Sequence, residues 1–254
     1  MAALASYEET LRRFTNQVRN MAILKGEVAF PQSSPGRSRA ESFLSVITPP
    51  GLSMVKSETL DLGDVVLPME AHSIDEYGAP GPDSTDSELY AIFELGVVTL
   101  KQYLARIYSR PSRVPKSRSR VSSCALSKAE LARLVVPLLE MMYAVHAKGL
   151  VHLDMKPGNV MLGRANKWKI IDFDGAVKAG SVLNPEDSLV AFTAAYCSPE
   201  LARAVVDLKS RTSRGRVGGG GGGGVGDAAV VVSRKMDVWS LGITICEIFS
   251  GRIA

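Results

Sequence analysis

The stretch VHLDMKPGNVML, Val151 to Leu162, sets a His, an Asp, a Lys and an Asn among apolar residues, with a Pro–Gly pair in the middle. Polar residues gathered this closely either decorate a turn between two buried elements or share one task. Asp154 and Asn159 are five residues apart with Lys156 between them, and Asp172 follows 18 residues after Asp154, inside KIIDFDGA. The surrounding chain has to decide between the two.

Immediately upstream lies the best-defined helix. Ser127 and Glu130 form a capping box; Leu131, Leu134, Val135, Leu138, Leu139, Met142 and Val145 then line one face, and Gly149 stands at the C-cap. Pro137 predicts a kink, because an interior proline costs about 3 kcal/mol. Farther upstream, LKQYLARIY after Thr99 predicts a helix that dissolves into a Ser/Arg/Pro stretch ending near Ser123. ELYAIFEL (88–95) reads as a buried strand, GAPGPDSTDS (78–87) as a turn-rich loop, and FLSVI and DVVLPMEAHSI within 42–74 as short β-rich runs. PQSSPGRSR (31–39) reads as a loop. Residues 4–24 place Leu11, Phe14, Val18, Met21 and Leu24 at three- and four-residue steps, the signature of an amphipathic helix. Downstream, NVML and KIIDF are short apolar runs, and residues 202–234 read as an insert whose seven glycines, Gly218 to Gly224, make a flexible tether. MDVWSLGITICEIF is apolar almost all round and predicts a central buried helix.

The 254 residues suffice for one large domain or two small ones, and 46% hydrophobic content supports a core. Net charge is only +4, but Arg106, Arg110, Arg113, Lys116, Arg118 and Arg120 crowd one stretch, and Arg203, Lys209, Arg211, Arg214 and Arg216 another. Such runs read as solvated loops; with only Tyr108 as an interleaved aromatic they do not predict a nucleic-acid partner. Cys124, Cys197 and Cys246 are far apart and in no metal spacing, which suits a reducing compartment. No signal peptide and no run of about 18 clean apolar residues is found. The expectation is an intracellular protein, cytoplasmic or nuclear, without a membrane partner.

The order of the motifs then narrows the reading. HLDMKPGN, DFD, TAAYCSPE (193–200) and DVWSLG (237–242) succeed one another as in the eukaryotic protein kinase family, and the chain resembles that family, serine/threonine branch, over about residues 88–254. HLDMKPGN resembles the catalytic loop, DFD the magnesium-binding DFG element, SPE the close of the activation segment and DVWSLG the start of the large lobe's buried helix. LYAIFELGVVTLKQYL resembles the last small-lobe strand, the hinge and the next helix, and MMYAVHAKGLVH the helix leading into the catalytic loop. The resemblance implies an α+β, two-lobe fold: a partial small lobe over 1–95 and a large catalytic lobe over 96–254, with a basic insert at 106–123 and a Gly-rich one at 202–234. It implies ATP and Mg²⁺ as cofactors and a protein Ser/Thr hydroxyl as substrate. Phosphoryl transfer asks mainly for positioning and charge neutralisation. Asp154 would take the hydroxyl proton, Lys156 would steady the moving phosphate as a point charge, and Asn159 and Asp172 would offer oxygens to hard Mg²⁺. Pro157 and Gly158 would let the loop turn into the cleft, and His152 would pack and hydrogen-bond rather than act as base. Lys156–Pro157 and Thr193, three before Tyr196, resemble the serine/threonine branch, where the Thr hydroxyl supports the Asp and Lys. Glu94 and Gly96 would present backbone groups to adenine, with Phe93 at the back of that pocket.

Several positions depart from the family pattern. Leu153 stands where many kinases have an Arg that meets an activation-loop phosphate, so no phosphate at Thr193 or Ser188 is expected to order the site through that contact. Asp174 replaces the DFG glycine, which restricts the backbone at Asp172, and Phe192 replaces the Gly before Thr193. FTNQVRNMAIL resembles the small-lobe helix with Gln17 at its glutamate position, and the sixteen residues before it hold no lysine and no glycine. A second registration makes Lys25 the strand lysine and Glu41 its partner. Glu200 is expected to be buried without the Arg that pairs with it in the family. The chain thus reads as the middle of a kinase domain cut at both ends, with the first small-lobe strands and the C-terminal helices missing, as either an incomplete gene model or a genuine remnant would leave it. Two functions follow: a serine/threonine kinase catalytic core, or a pseudokinase scaffold (or incomplete gene model) lacking competent ATP binding.

Overall fold

A computed structural model describes residues 2–28, 62–109, 126–183, 192–213 and 229–251. The run FLSVI, the loop at 31–39, Glu41, most of the basic stretch, Cys124, Ser188 and Gly218–Gly224 lie outside the described residues.

Helix α1 (Ala2–Lys25) carries the expected stripe, with Val18, Met21, Ile23 and Leu24 buried and Phe14 packed at its edge. Lys25 is its last residue and donates to the Met69 carbonyl at 2.9 Å, so the registration that made it a strand lysine is corrected. Residues 64–74 begin not as a strand but as one helical turn, α2 (Leu62–Val65), before β1 (Met69–His72). β1 pairs antiparallel with β2 (Ala91–Phe93), with a bulge between Met69 and Ala71. The strand expected over 88–95 shrinks to those three residues, of which Ala91 and Ile92 are exposed: β1 and β2 form a two-stranded ribbon, and Met69 and Phe93 turn toward the core while His72 meets Phe14 of α1 edge-on.

β3 (Val98–Thr99) leads into α3 (Leu100–Tyr108), closed at its start by a Thr99–Gln102 capping box. α4 (Lys128–Ala147) opens on the Ser127–Glu130 box and ends where Gly149, at φ +78°, takes the left-handed position that favours glycine. The helix runs unbroken through Pro137. Its buried Leu134, Leu138, Met141, Met142 and Val145 supply apolar contact that offsets the one backbone bond a proline cannot make.

A three-stranded antiparallel sheet joins β3, β5 (Val160–Leu162) and β6 (Trp168–Ile170). β4 (Leu150–Val151) pairs with β7 (Val177–Lys178), and β8 (Val182–Leu183) with β9 (Val230–Val231), both antiparallel. α5 (Pro199–Ser213) occupies the first third of the stretch read as an insert over 202–234, and β9, the buried Val232 and the helix cap Ser233 occupy its end, so that reading is corrected for 202–213 and 230–234. α6 (Arg234–Ser250) is central, but its inner face mixes polar residues with the apolar Met236, Leu241 and Ile248. Asp237, Ser240, Thr244 and Glu247 are buried, whereas Val238, Trp239 and Phe249 are exposed. One apolar cluster extends from α1 through α4 and β4–β6 to Ile248 of α6. A smaller one holds Val151, Leu153, Leu183, Val232 and Met236. No helix among the described residues is long and apolar enough to cross a membrane.

Candidate active site

The loop after β4 is hung from α6. Asp237, 0% exposed, accepts the His152 N–H on Oδ2 and the Leu153 N–H on Oδ1, each at 2.8 Å, and His146 Nε2 reaches Oδ2 at 2.8 Å. These bonds hold Leu153 at φ +68°, a conformation that strains a non-glycine residue by on the order of 1 kcal/mol or more. The turn that results aims Asp154 away from the core. The buried His152 accepts the Asp154 N–H on Nδ1 at 3.3 Å, which assigns the ring proton to Nε2, donated to the Ile171 carbonyl at 3.0 Å. His152 also lies 4.9 Å, ring to ring, from the buried Phe173. It is a packing and hydrogen-bonding residue, as its place in the sequence predicts.

Four predicted residues converge here. Asp154 Oδ1 accepts the Thr193 N–H at 2.8 Å. Asp154 Oδ2 accepts from Lys156 Nζ at 2.5 Å and from Asn159 Nδ2 at 3.1 Å. Lys156 Nζ also donates to Thr193 Oγ1 at 2.7 Å, and Asn159 Nδ2 to the Asp154 carbonyl at 2.9 Å. With Nδ2 spent on Asp154, Asn159 Oδ1 is the atom left to face a cation. Asp172 follows β6 at φ +70°, and Ile171 N–H donates to the Asn159 carbonyl at 3.0 Å, which ties the two together. Burial pushes the Asp172 carboxyl above the usual range, and the neighbouring Asp174 adds to it. An amide oxygen and a carboxylate are the hard donors that Mg²⁺ takes, and a cation at this spot would offset the carboxylate charges of Asp154, Asp172 and Asp174.

Asp172 and Asp174 also line a cavity of about 550 Å³ with Phe14, Gln17, Leu67 and Phe93. Of the three residues expected to meet adenine, Glu94 and Gly96 do not line it. Glu94 donates its N–H to the Pro68 carbonyl at 3.0 Å and turns its carboxylate to Lys169 Nζ at 2.9 Å and the Arg164 N–H at 2.8 Å. The Lys169 bond first, and the Arg164 one second, hold that carboxyl below its usual range. What Glu94 and Gly96 leave open is backbone, since neither the Glu94 carbonyl nor the Gly96 N–H has a backbone partner among the described residues. A β-carbon on Gly96 would run into the Met161 side chain. Met161 was not singled out by sequence, although its alternation with Val160 along NVML turns it to the other face of β5 from that buried residue.

Three expectations on departures meet the structure differently. Gln17 is buried at 8% exposed, and neither amide atom has a partner among the described residues. Glu200 is exposed, so it needs no counter-charge, and the expectation of a buried one is corrected. Leu153, 4% exposed, packs with Leu183, Val232 and Met236, so apolar contact and the β8–β9 pairing fasten the start of the segment after Asp172. Leu153→Arg is therefore expected to destabilise the fold by on the order of 3 kcal/mol, through a buried charge and lost packing, rather than to install a phosphate contact. The urea midpoint measures it.

A family model described as a protein kinase domain matches residues 85–214, just over half of the chain, and the chain belongs to the protein kinase family. Its curated relatives include serine/threonine kinases. It is 31% identical over 125 residues to a probable serine/threonine-protein kinase PknB of Corynebacterium glutamicum, covering 46% of this chain and 19% of that protein. It is 34% identical over 129 residues to the myotonin-protein kinase of Mus musculus, covering 49% and 17%. It is 29% identical over 123 residues to the serine/threonine-protein kinase TAO1-B of Xenopus laevis, covering 48% and 10%. Each match spans less than a fifth of the relative's own length.

Proposed function

We propose that this chain carries the catalytic core of a serine/threonine protein kinase, moving the γ-phosphoryl group of ATP to a protein hydroxyl. The observation that carries the reading is the closed network of Asp154, Lys156, Asn159 and Thr193. Asp154 would accept the proton of the attacking hydroxyl as the new O–P bond forms and the bond from the γ-phosphorus to the β,γ-bridging oxygen breaks, leaving ADP. Lys156, already between Asp154 and Thr193, would neutralise charge on the transferred group. Asn159 Oδ1 and the Asp172 carboxylate would hold Mg²⁺, which when bound neutralises the phosphates. The Glu94 carbonyl and Gly96 N–H would meet the adenine edge, with Phe93 bounding the pocket behind. The Lys156–Thr193 bond supports the serine/threonine branch, as do the relatives.

A second reading, a scaffold of the same fold without nucleotide handling, is favoured by Gln17: the family's glutamate position holds a neutral amide that bonds to nothing described. Thermal unfolding with Mg·ATP against Mg²⁺ alone separates the two. A ligand that binds only the folded state at 100 times its Kd stabilises by about 2.7 kcal/mol. The kinase reading expects such a shift, lost in Asp172→Ala. A folded wild-type protein with no shift establishes the scaffold.

A further inference from the structure

We propose that Asn16 and Asn20 of α1 are positioning residues for Asp172, clamping the backbone that follows it; the inference rests on the reading of Asp172 as a metal ligand. Both asparagines stand on one face of α1, four residues apart. Asn20 Nδ2 donates to the carbonyls of Phe173 and Ala176, each at 2.8 Å. Asn16 Nδ2 donates to the carbonyls of Asp174 at 2.5 Å and Ala176 at 3.1 Å. Every N–H of the two amides is thereby spent on three carbonyls within four residues of Asp172. One turn farther toward the start of the helix, Arg13 Nη1 reaches Asp174 Oδ2 at 3.4 Å.

The geometry explains how a non-glycine Asp172 is kept in the left-handed region with another non-glycine two residues on. Isolated, such a backbone relaxes, and the carboxylate swings with it. Here the carbonyls on its C-terminal side are fixed to a helix, and on its N-terminal side Ile171 is fixed to Asn159. The carboxylate is held between two main-chain anchors, beside the Asp174 carboxyl that shares its cavity, and neither anchor uses its own oxygens. A displacement of α1 would release the loop directly. The coupling uses main-chain acceptors, so it does not depend on an ion pair at Gln17.

The test is the Mg²⁺ requirement for ATP binding, read by calorimetry on the full chain, beside the affinity for adenosine, which needs no metal. Asn20→Leu keeps the volume and removes both donors. It is expected to raise the Mg²⁺ concentration for half-maximal ATP binding about tenfold and to leave adenosine binding unchanged. Asn16→Ala, at a half-exposed position that tolerates truncation, is expected to give about a threefold rise and carries the test if the buried variant does not fold. A wild-type Mg²⁺ requirement in both variants, or an equal loss of adenosine and ATP binding, overturns the clamp while leaving the kinase reading intact. A wild-type chain that binds adenosine but shows no Mg²⁺-dependent gain for ATP overturns the metal site, and the clamp with it.

Discussion

Asp237→Ala is expected to cost about 3–5 kcal/mol, the range for removing one partner of a buried, hydrogen-bonded charge. Asp237 has no exposed surface and takes two consecutive main-chain N–H groups, from His152 and Leu153, on separate oxygens. Alanine leaves both donors buried and unpaired, each worth about 1–3 kcal/mol of desolvation. It also removes what keeps Leu153 at φ +68°. Because small domains have only about 5–15 kcal/mol in hand, the variant is expected to be largely unfolded near its wild-type midpoint in urea. Asp237→Asn, which keeps the shape and one acceptor, should fall between them. A variant with an unshifted midpoint would mean that the loop finds its conformation without α6.

Asp154→Asn is expected to lower kcat by about 10²–10⁴-fold, the usual worth of a positioned proton acceptor, while KM for ATP moves little. On the proposed reading the two measurements separate because Asp154 would face the substrate hydroxyl. Asp172, proposed to face the metal, makes no hydrogen bond to the Asp154 side chain among the described residues, and Asn159 keeps its bond to the Asp154 carbonyl. The substituted amide also turns a donor toward Lys156, Asn159 or the Thr193 N–H, all donors to the wild-type carboxylate. Some loss therefore reflects a disturbed network. A steady-state assay on a peptide carrying a serine checks the prediction. Turnover at the wild-type rate in Asp154→Asn would assign the proton to another group.

Local signals carried far. The Ser127–Glu130 box, the stripe of α1 and the left-handed Gly149 are written within a few residues of where they act, and each is found where the spacing places it. So is the loop from Asp154 to Asn159, whose members are near in sequence as well as in space. What escaped is long-range and polar. Asp237 belongs to a motif quoted only as a helix start, yet its partners lie 85 and 84 residues back. Asn16 and Asn20 bond to carbonyls more than 150 residues away, and a carbonyl has no sequence signature. The inner face of α6 was misjudged because burial of Asp, Ser, Thr and Glu depends on partners from other elements. Tyr196 donating to Glu247 at 2.9 Å, and Ser240 donating to the Tyr196 carbonyl at 2.9 Å, are such partners. The ribbon of β1 and β2 was overestimated because β-branched and aromatic content reports a pleated surface, not how many layers cover it.

The grease-on-grease contact of Leu153 with Leu183, Val232 and Met236 sets the physical conditions to which this kinase chain answers at that place. A guanidinium facing a phosphate would loosen as ions are added to the buffer. Methyl and methylene groups shielded from water do not respond to ionic strength in that way. Their attraction instead fades on cooling, because the hydration that drives it is entropic near room temperature. At Leu183 the stretch beyond Asp172 is therefore moored to Leu153 by a force that chilling weakens and physiological salt leaves alone.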